Sequence, residues 1–251
     1  MPLEKTVTNE HKALNREQLR KCVDEQLQHD LRNFQTAEEA SLTAVHAFID
    51  MGDLEKAEMY MEYYKKGKAG REKLESYRDA LHKTGEIPYE PEVIGISSIV
   101  GDSVAVCKGM LENKDIKIDV YNGMDNEAYF MGDPARMLIV MVNLFTNMHS
   151  AMAEMEDAEI SVTMKQIRIN VHGMEMPYSQ IVVRNNGPRL PYFNTEDAFE
   201  LHSSGDGSEG QGLGLAICRS IVHKKFKGMI YARHPVEGGV DFYIELPRKV
   251  D

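Results

Sequence analysis

Tryptophan is absent from the 251 residues, and cysteine is scarce. The three cysteines, Cys22, Cys107 and Cys218, are odd in number and far apart. That pattern gives no CxxC ligand pair and points to a reducing compartment. A basic surplus is missing too: 29 Lys and Arg stand against 40 Asp and Glu, a net charge of −11. The balance argues against a non-specific nucleic-acid binder and against a protein that adheres to an anionic membrane. No long apolar run occurs. The longest, Met137 to Val142, falls far short of the roughly 20 residues that a membrane span needs. The first residues, MPLEKTVTNEHK, carry no apolar signal stretch, and a cytoplasmic chain is expected. There is no internal repeat and no low-complexity tract. What is present, 42% hydrophobic and 27% charged residues, suits a folded chain with a sizeable core.

Proline is also nearly missing from the first third, where only Pro2 precedes Pro88. From Leu19 to Phe48 apolar residues recur in steps of three or four, through Leu27, Leu31, Phe34 and Val45, which predicts one long amphipathic helix. Met51-Gly52-Asp53 is the expected break, with Gly52 ending one helix and Asp53 capping the next. A second helical pattern runs through Leu54, Ala57, Met61, Tyr64, Leu74, Tyr77 and Leu81, weakened in its middle by Gly67 and Gly70. Gly85 and Pro88 end it. One such hairpin has too little core to stand alone, so two are expected to pair into a four-helix bundle. The expected domains are residues 1–86 and 87–251, with a linker near Gly85 to Pro91. Beyond it, helical stretches alternate with β-rich segments: IKIDVYN, AYFMGD, ISVTMKQIRINVHG, QIVVRNN, MIYARH and VDFYIELP. These predict an α+β fold with helices on one face of a mixed sheet, and a hairpin pairing Ile160–Val171 with Ile181–Arg184.

Four motifs carry chemistry. Gly210-Gln211-Gly212-Leu213-Gly214 opens an apolar helix. Its alternate glycines allow close backbone approach to a polyphosphate, although a flexible loop explains them equally well. The pattern is neither a Walker loop nor a dinucleotide fingerprint. Asn143 and Asn147 share a face of a helix opened by Asp133 as cap and Pro134 in its first turn. Their partners are either backbone carbonyls or Mg²⁺ with phosphate oxygens. Val183-Arg184-Asn185-Asn186-Gly187-Pro188 follows a strand and reads on its own as a turn. In His29-Asp30-Leu31-Arg32-Asn33, His29 falls about 160° from Leu31 and faces away from the apolar stripe. Asn33 shares that exposed face. A solvent-facing imidazole beside a carboxylate is a candidate nucleophile, although most such histidines do nothing.

Together, and in this order, these motifs resemble the transmitter core of two-component sensor histidine kinases. HDLRN looks like the H-box, GDPARM with NLFTN like the N-box, NNGPRLP like the G1 box and GQGLGLAICRSIV like the G2 box. The branch most similar is that of quorum-sensing and citrate/fumarate sensors. The resemblance implies a dimeric phosphoacceptor hairpin followed by an α/β sandwich ATP-binding domain of the Bergerat or GHKL type. It implies that His29 is the phosphoacceptor, Asp30 its general base, and Asn33 the residue that orients water for hydrolysis of a partner's acyl phosphate. Asn147, supported by Asn143, would coordinate Mg²⁺. Asn185 would read the adenine amino group. Gly187, Gly210, Gly212, Leu213 and Gly214 would border the nucleotide, Phe199 would stand at the F-box, and Ser203 to Glu209 would form the ATP lid.

The chain departs from that pattern at four places. Asn185 replaces an aspartate. Arg189 replaces the second G1 glycine and could crowd the nucleotide or meet its phosphate. The lid, SSGDGSEG, has no Lys or Arg. The usual proline after the H-box is absent, which predicts a straighter helix. The expected activity is ATP- and Mg²⁺-dependent autophosphorylation of His29, with transfer to an aspartate of a response-regulator receiver. The alternative is a histidine phosphotransferase with a weak ATP site, and a scaffold that only docks a regulator is a third class.

Overall fold

The computed structural model describes residues 16–84, 88–112, 115–192, 194–200 and 214–249. Two helices, α1 (Arg16–Asp50) and α2 (Leu54–Thr84), form the expected antiparallel hairpin. The break falls where local chemistry places it. Gly52 takes φ +75°, which favours glycine, and Asp53 Oδ1 accepts the Lys56 amide at 3.1 Å as a helix cap. With no proline after its HDLRN segment, α1 runs unbroken through 35 residues. Phe34, Ala37, Leu74 and Tyr77 are buried along the seam. Glu38, itself buried, accepts from Arg71 Nε at 2.7 Å across the hairpin.

The rest is an α/β sandwich. In chain order it comprises β1 (Glu92–Gly95), α3 (Ile96–Glu112), β2 (Lys117–Asn122), β3 (Tyr129–Gly132) and α4 (Pro134–Ala151). Next come β4 (Glu159–Val171), β5 (Met174–Asn185), α5 (Gly214–Ser220), β6 (Met229–Arg233) and β7 (Val240–Pro247). Five strands form one sheet in the order β2-β4-β5-β7-β6, parallel between β2 and β4 and antiparallel elsewhere. The hairpin β4–β5 closes through His172 and Gly173, both at positive φ. Alternation sets the inner face: Ile160, Val162, Met164, Ile181, Val183, Ile244 and Leu246 are buried in the core shared with α3 and α4. Strand β3 lies in the expected AYFMGD segment, whereas the four residues of its separate partner β1 are too few to show a period.

The apolar stripe of the hairpin, expected to face a second hairpin, is covered here by α3 and α4 of its own chain. Leu31, Phe34, Ala37, Leu74 and Tyr77 belong to the same continuous core as Val106, Leu138 and Val142. Two glycines make the approach close enough. A Cβ at Gly70 would lie 2.3 Å from the Phe34 ring and 3.0 Å from Leu138, and one at Gly109 would lie 2.8 Å from the Ser41 backbone nitrogen. Gly70, which local propensity reads as a weak point of α2, is therefore the point at which α1, α2 and α4 meet.

Candidate nucleotide and phosphotransfer site

Asp133 accepts the Arg136 amide at 3.3 Å and Pro134 occupies the first turn, so α4 starts where its sequence predicts. Ten residues on, Asn143 is 1% exposed and donates its amide to the Ile139 carbonyl at 3.1 Å. Asn147, one turn later, is exposed. The first residue of α5 closes on this pair. A Cβ at Gly214 would lie 3.1 Å from Asn143 Oδ1 and 4.0 Å from Asn147 Nδ2. The asparagines thus play different parts: Asn143 supports the start of α5, while Asn147 presents a carboxamide to solvent beside it. No cluster of three His, Cys, Asp or Glu occurs among the described residues. An exposed carboxamide oxygen, with phosphate oxygens and water completing the shell, fits a Mg²⁺ ion, which favours hard oxygen ligands and keeps several waters.

A second group of predicted residues lies at the end of β5. Asn185 is 3% exposed, and its Oδ1 accepts the Val240 amide at 2.8 Å from the start of β7. Gly239 makes this contact possible. It holds φ +78°, and a Cβ there would lie 2.0 Å from the Asn185 carbonyl oxygen. The other end of the carboxamide lies towards Gly187, where an added Cβ would come within 3.2 Å of Asn185 Nδ2 and 2.6 Å of Met152. Asn186 is structural. Its Oδ1 accepts the Glu159 amide at 2.9 Å and its Nδ2 donates to Asp157 O at 2.6 Å, pinning the end of β5 to the start of β4.

Other predicted residues fall elsewhere. Phe199, in the 3₁₀ turn Thr195–Phe199, is buried edge-on against Phe242 at 6.3 Å and serves the core. Arg189 donates to the Pro235 carbonyl at 3.1 Å and braces the loop before β7. Asn33 is half-buried, less open than a solvent-facing register predicts. The backbone of His29 and Asp30 lies within α1, and their side chains lie outside the described part. Gly210, Gly212, Leu213 and the lid stretch Ser203 to Glu209 lie outside the described residues.

One cluster was not foreseen. Asp133 does more than cap α4: its buried carboxylate accepts the Tyr77 hydroxyl at 2.9 and 2.8 Å. It also accepts the Glu90 amide at 3.3 Å and pairs with Arg136 Nε at 3.4 Å. Arg136 lies over the rings of both Tyr77 and Tyr89 and donates to the Pro88 carbonyl. Burial, then the Asp133 hydrogen bond, push the Tyr77 hydroxyl above the ordinary phenol range, so it stays a donor. Its only sequence signal is Tyr77 at a core position, where a phenol needs an acceptor.

The sequence of residues 132–250 matches the family model described as histidine kinase-, DNA gyrase B-, and HSP90-like ATPase. The chain is 25% identical over 155 residues to the sensor histidine kinase TmoS of Ectopseudomonas mendocina, covering 61% of this chain. It is 28% identical over 169 residues to the sensor kinase CckA of Brucella abortus, covering 64%. Residues 132–250, a little under half of the chain, thus resemble the ATPase part of histidine kinases. The chain spans 15% and 17% of the length of those two curated relatives. Among solved structures, the catalytic domain of histidine kinase ThkA is similar at 24% identity and a TM-score of 0.53, over 63% of this chain and 96% of that one. ThkA in complex with the response regulator TrrA covers 94% of this chain, with 64% of its own chain matched, at 20% identity and a TM-score of 0.54. At these identities the likeness is one of fold.

Proposed function

We propose that this chain transfers the γ-phosphoryl group of a Mg²⁺-bound nucleoside triphosphate, ATP in the first instance, to His29, and then to an aspartate of a receiver protein. The observation that carries the reading is Asn147, exposed beside Gly214 within a region that matches an ATPase family. In the first step a ring nitrogen of His29 attacks the γ-phosphorus, an N–P bond forms, and the bond to the β,γ-bridging oxygen breaks to release the diphosphate. Asp30 takes the proton from the ring. Bound Mg²⁺ would neutralise phosphate charge, and Asn147 would hold it. Such transfer depends mainly on positioning and electrostatics. Incubation with γ-labelled nucleotide and Mg²⁺ should give an acid-labile, base-stable label on the protein. Label acquired only from a phosphorylated receiver would point instead to a phosphotransferase.

The metal role gives a sharper expectation. Asn147→Ala removes an exposed side chain that bears on no core contact, so stability should change by less than about 0.5 kcal/mol. Nucleotide affinity in the presence of Mg²⁺ should fall at least about tenfold, read by titration calorimetry with and without Mg²⁺. Unchanged affinity would make Asn147 a surface residue.

The receiver and a second copy of the chain are the partners of this reading; a solved ThkA structure holds the regulator TrrA. An open groove of about 640 Å³ is lined by residues of α1 and α2 that include Arg32, Leu42, Tyr64 and Arg71. That surface is the one left for a second hairpin. Light scattering on the whole chain at micromolar concentration should report twice the mass of 28.4 kDa. A monomer would show that docking on α3 and α4 replaces the bundle.

A further inference from the structure

Residues 88–90, between α2 and β1, are held on two sides. One side is the start of α4, where Arg136 donates to the Pro88 carbonyl at 2.7 Å and Asp133 accepts the Glu90 amide at 3.3 Å. The other is the far end of the helix that begins at Gly214. Past Ser220, α5 widens into a π turn, Ile221–Lys225, in which the Phe226 amide donates to the Ile221 carbonyl at 3.2 Å. The last carbonyls of a helix have no partner within it. Tyr89 supplies one from the linker: its hydroxyl donates to the Lys225 carbonyl at 3.0 Å. The Lys225 ammonium lies 5.1 Å from the centre of the same ring, and the Arg136 guanidinium 5.6 Å.

A helix this short depends on its anchors. α5 has seven residues and the π turn five, and isolated helices below about 12–15 residues are marginal in water. Three contacts fix the pair from outside: Arg219 with Glu200 at 3.2 Å, Phe226 edge-on against Phe130 at 5.5 Å, and Tyr89 at the last carbonyl. Of these, Tyr89 alone belongs to the segment that leaves the hairpin. At the opposite end of the same helix, Gly214 packs against Asn143 and borders Asn147. We propose that Tyr89 is a positioning residue, which holds the end of the π turn, sets where Gly214 meets Asn143 and Asn147, and so ties the grip on the Mg²⁺-nucleotide to the placement of the linker. The inference rests on the reading above that Asn147 holds the metal of a bound nucleotide. Tyr89 touches neither metal nor nucleotide in that reading and acts through α5. The hairpin enters the same chain of contacts, because Arg136 lies over the rings of both Tyr77 and Tyr89.

Tyr89→Phe keeps the ring and both cations against it and removes only the bond to the Lys225 carbonyl. In the whole chain without nucleotide, hydrogen exchange read by mass spectrometry should quicken about fivefold in peptides from residues 214–225 and stay unchanged in β4 and β5. Calorimetric titration should show the Kd for Mg²⁺-ATP rising by about fivefold as well. Tyr77→Phe is the control. It removes a hydroxyl from the same buried cluster and loosens the hairpin, but leaves the Lys225 carbonyl bonded, so exchange at 214–225 and the Kd should both stay within about twofold of the unmodified chain. Unchanged exchange in Tyr89→Phe would overturn the assignment. Faster exchange with an unchanged Kd would make Tyr89 a helix cap without a positioning role and overturn it too, as would an equal rise in Kd for Tyr77→Phe. In each of those cases the nucleotide site stands. Failure of the unmodified chain to bind Mg²⁺-ATP would instead overturn the nucleotide reading, and the assignment with it.

Discussion

His29→Gln should leave the chain without an acid-labile phosphoryl group after incubation with Mg²⁺ and γ-labelled ATP, a loss of at least about a hundredfold against the unmodified chain. The expectation rests on chemistry that only the imidazole supplies in this segment. A phosphoramidate is labile in acid and stable in base, the opposite of an acyl phosphate on a carboxylate, so the stability of the label identifies the atom that carries it. Glutamine has no nucleophilic nitrogen, yet it forms helix almost as well as the best residues. Position 29 lies well inside the 35-residue α1, so helix content and nucleotide affinity should not change. A variant that keeps its affinity and loses its label places the phosphoryl group on His29. A normal acid-labile label in the variant would move the acceptor to another histidine and remove the proposed role of Asp30 as its base.

The parts of the fold legible in the sequence are those written locally. The break at Gly52 and Asp53 is fixed by a positive φ and a side-chain cap within four residues, and it falls where expected. Strands β4, β5 and β7 are long enough for their alternation to show. The spacing of Asn143 and Asn147 places both on one side of α4, but it cannot say that one is buried and the other exposed. That difference depends on packing from distant parts of the chain, such as Gly214 against Asn143. Asn185 is the clearer case. Its residue type is visible in the sequence, whereas the direction of its amide is set by Val240, 55 positions away. The apolar stripe of the hairpin was legible as well, but periodicity names a face and not what covers it. Here Gly70 and Gly109 admit α4 and α1 at close range, and α3 and α4 become the cover.

That cover has a consequence for transfer. Gly70 of α2 meets α4 at Leu138. At about 100° per residue, Asn143 lies roughly 140° and Asn147 roughly 180° round the helix from Leu138. The hairpin thus docks on one side of α4 and the proposed nucleotide residues lie on the other. Phosphoryl transfer between His29 and a nucleotide beside Asn147 therefore calls for a second copy of the chain or for release of the hairpin. Tyr77, Glu90 and Asp133 bind α2, the linker and α4 at one buried carboxylate, so they set the cost of that release.

Asp133→Ala should accordingly be the most destabilising single change outside the apolar core, by about 3–5 kcal/mol, the range for leaving a buried charge without its partner. Three groups lose an acceptor together: the buried Tyr77 hydroxyl, the Glu90 amide and the first turn of α4. Arg136 also loses its counter-charge while it remains wedged between the Tyr77 and Tyr89 rings. These losses share one carboxylate and do not add independently. Tyr77→Phe separates the hairpin contact from the rest. It removes the donor across the seam and leaves Asp133 with Glu90 and Arg136, at a cost of about 1–2 kcal/mol. Urea unfolding followed by circular dichroism should show a large loss for Asp133→Ala and a smaller one for Tyr77→Phe. If the carboxylate holds the hairpin to the sandwich, the Ala variant should also lose its single cooperative transition, with the hairpin melting ahead of the sheet. A loss below about 1 kcal/mol, with one transition retained, would show that the apolar contacts around Gly70 and Leu138 hold the hairpin without it.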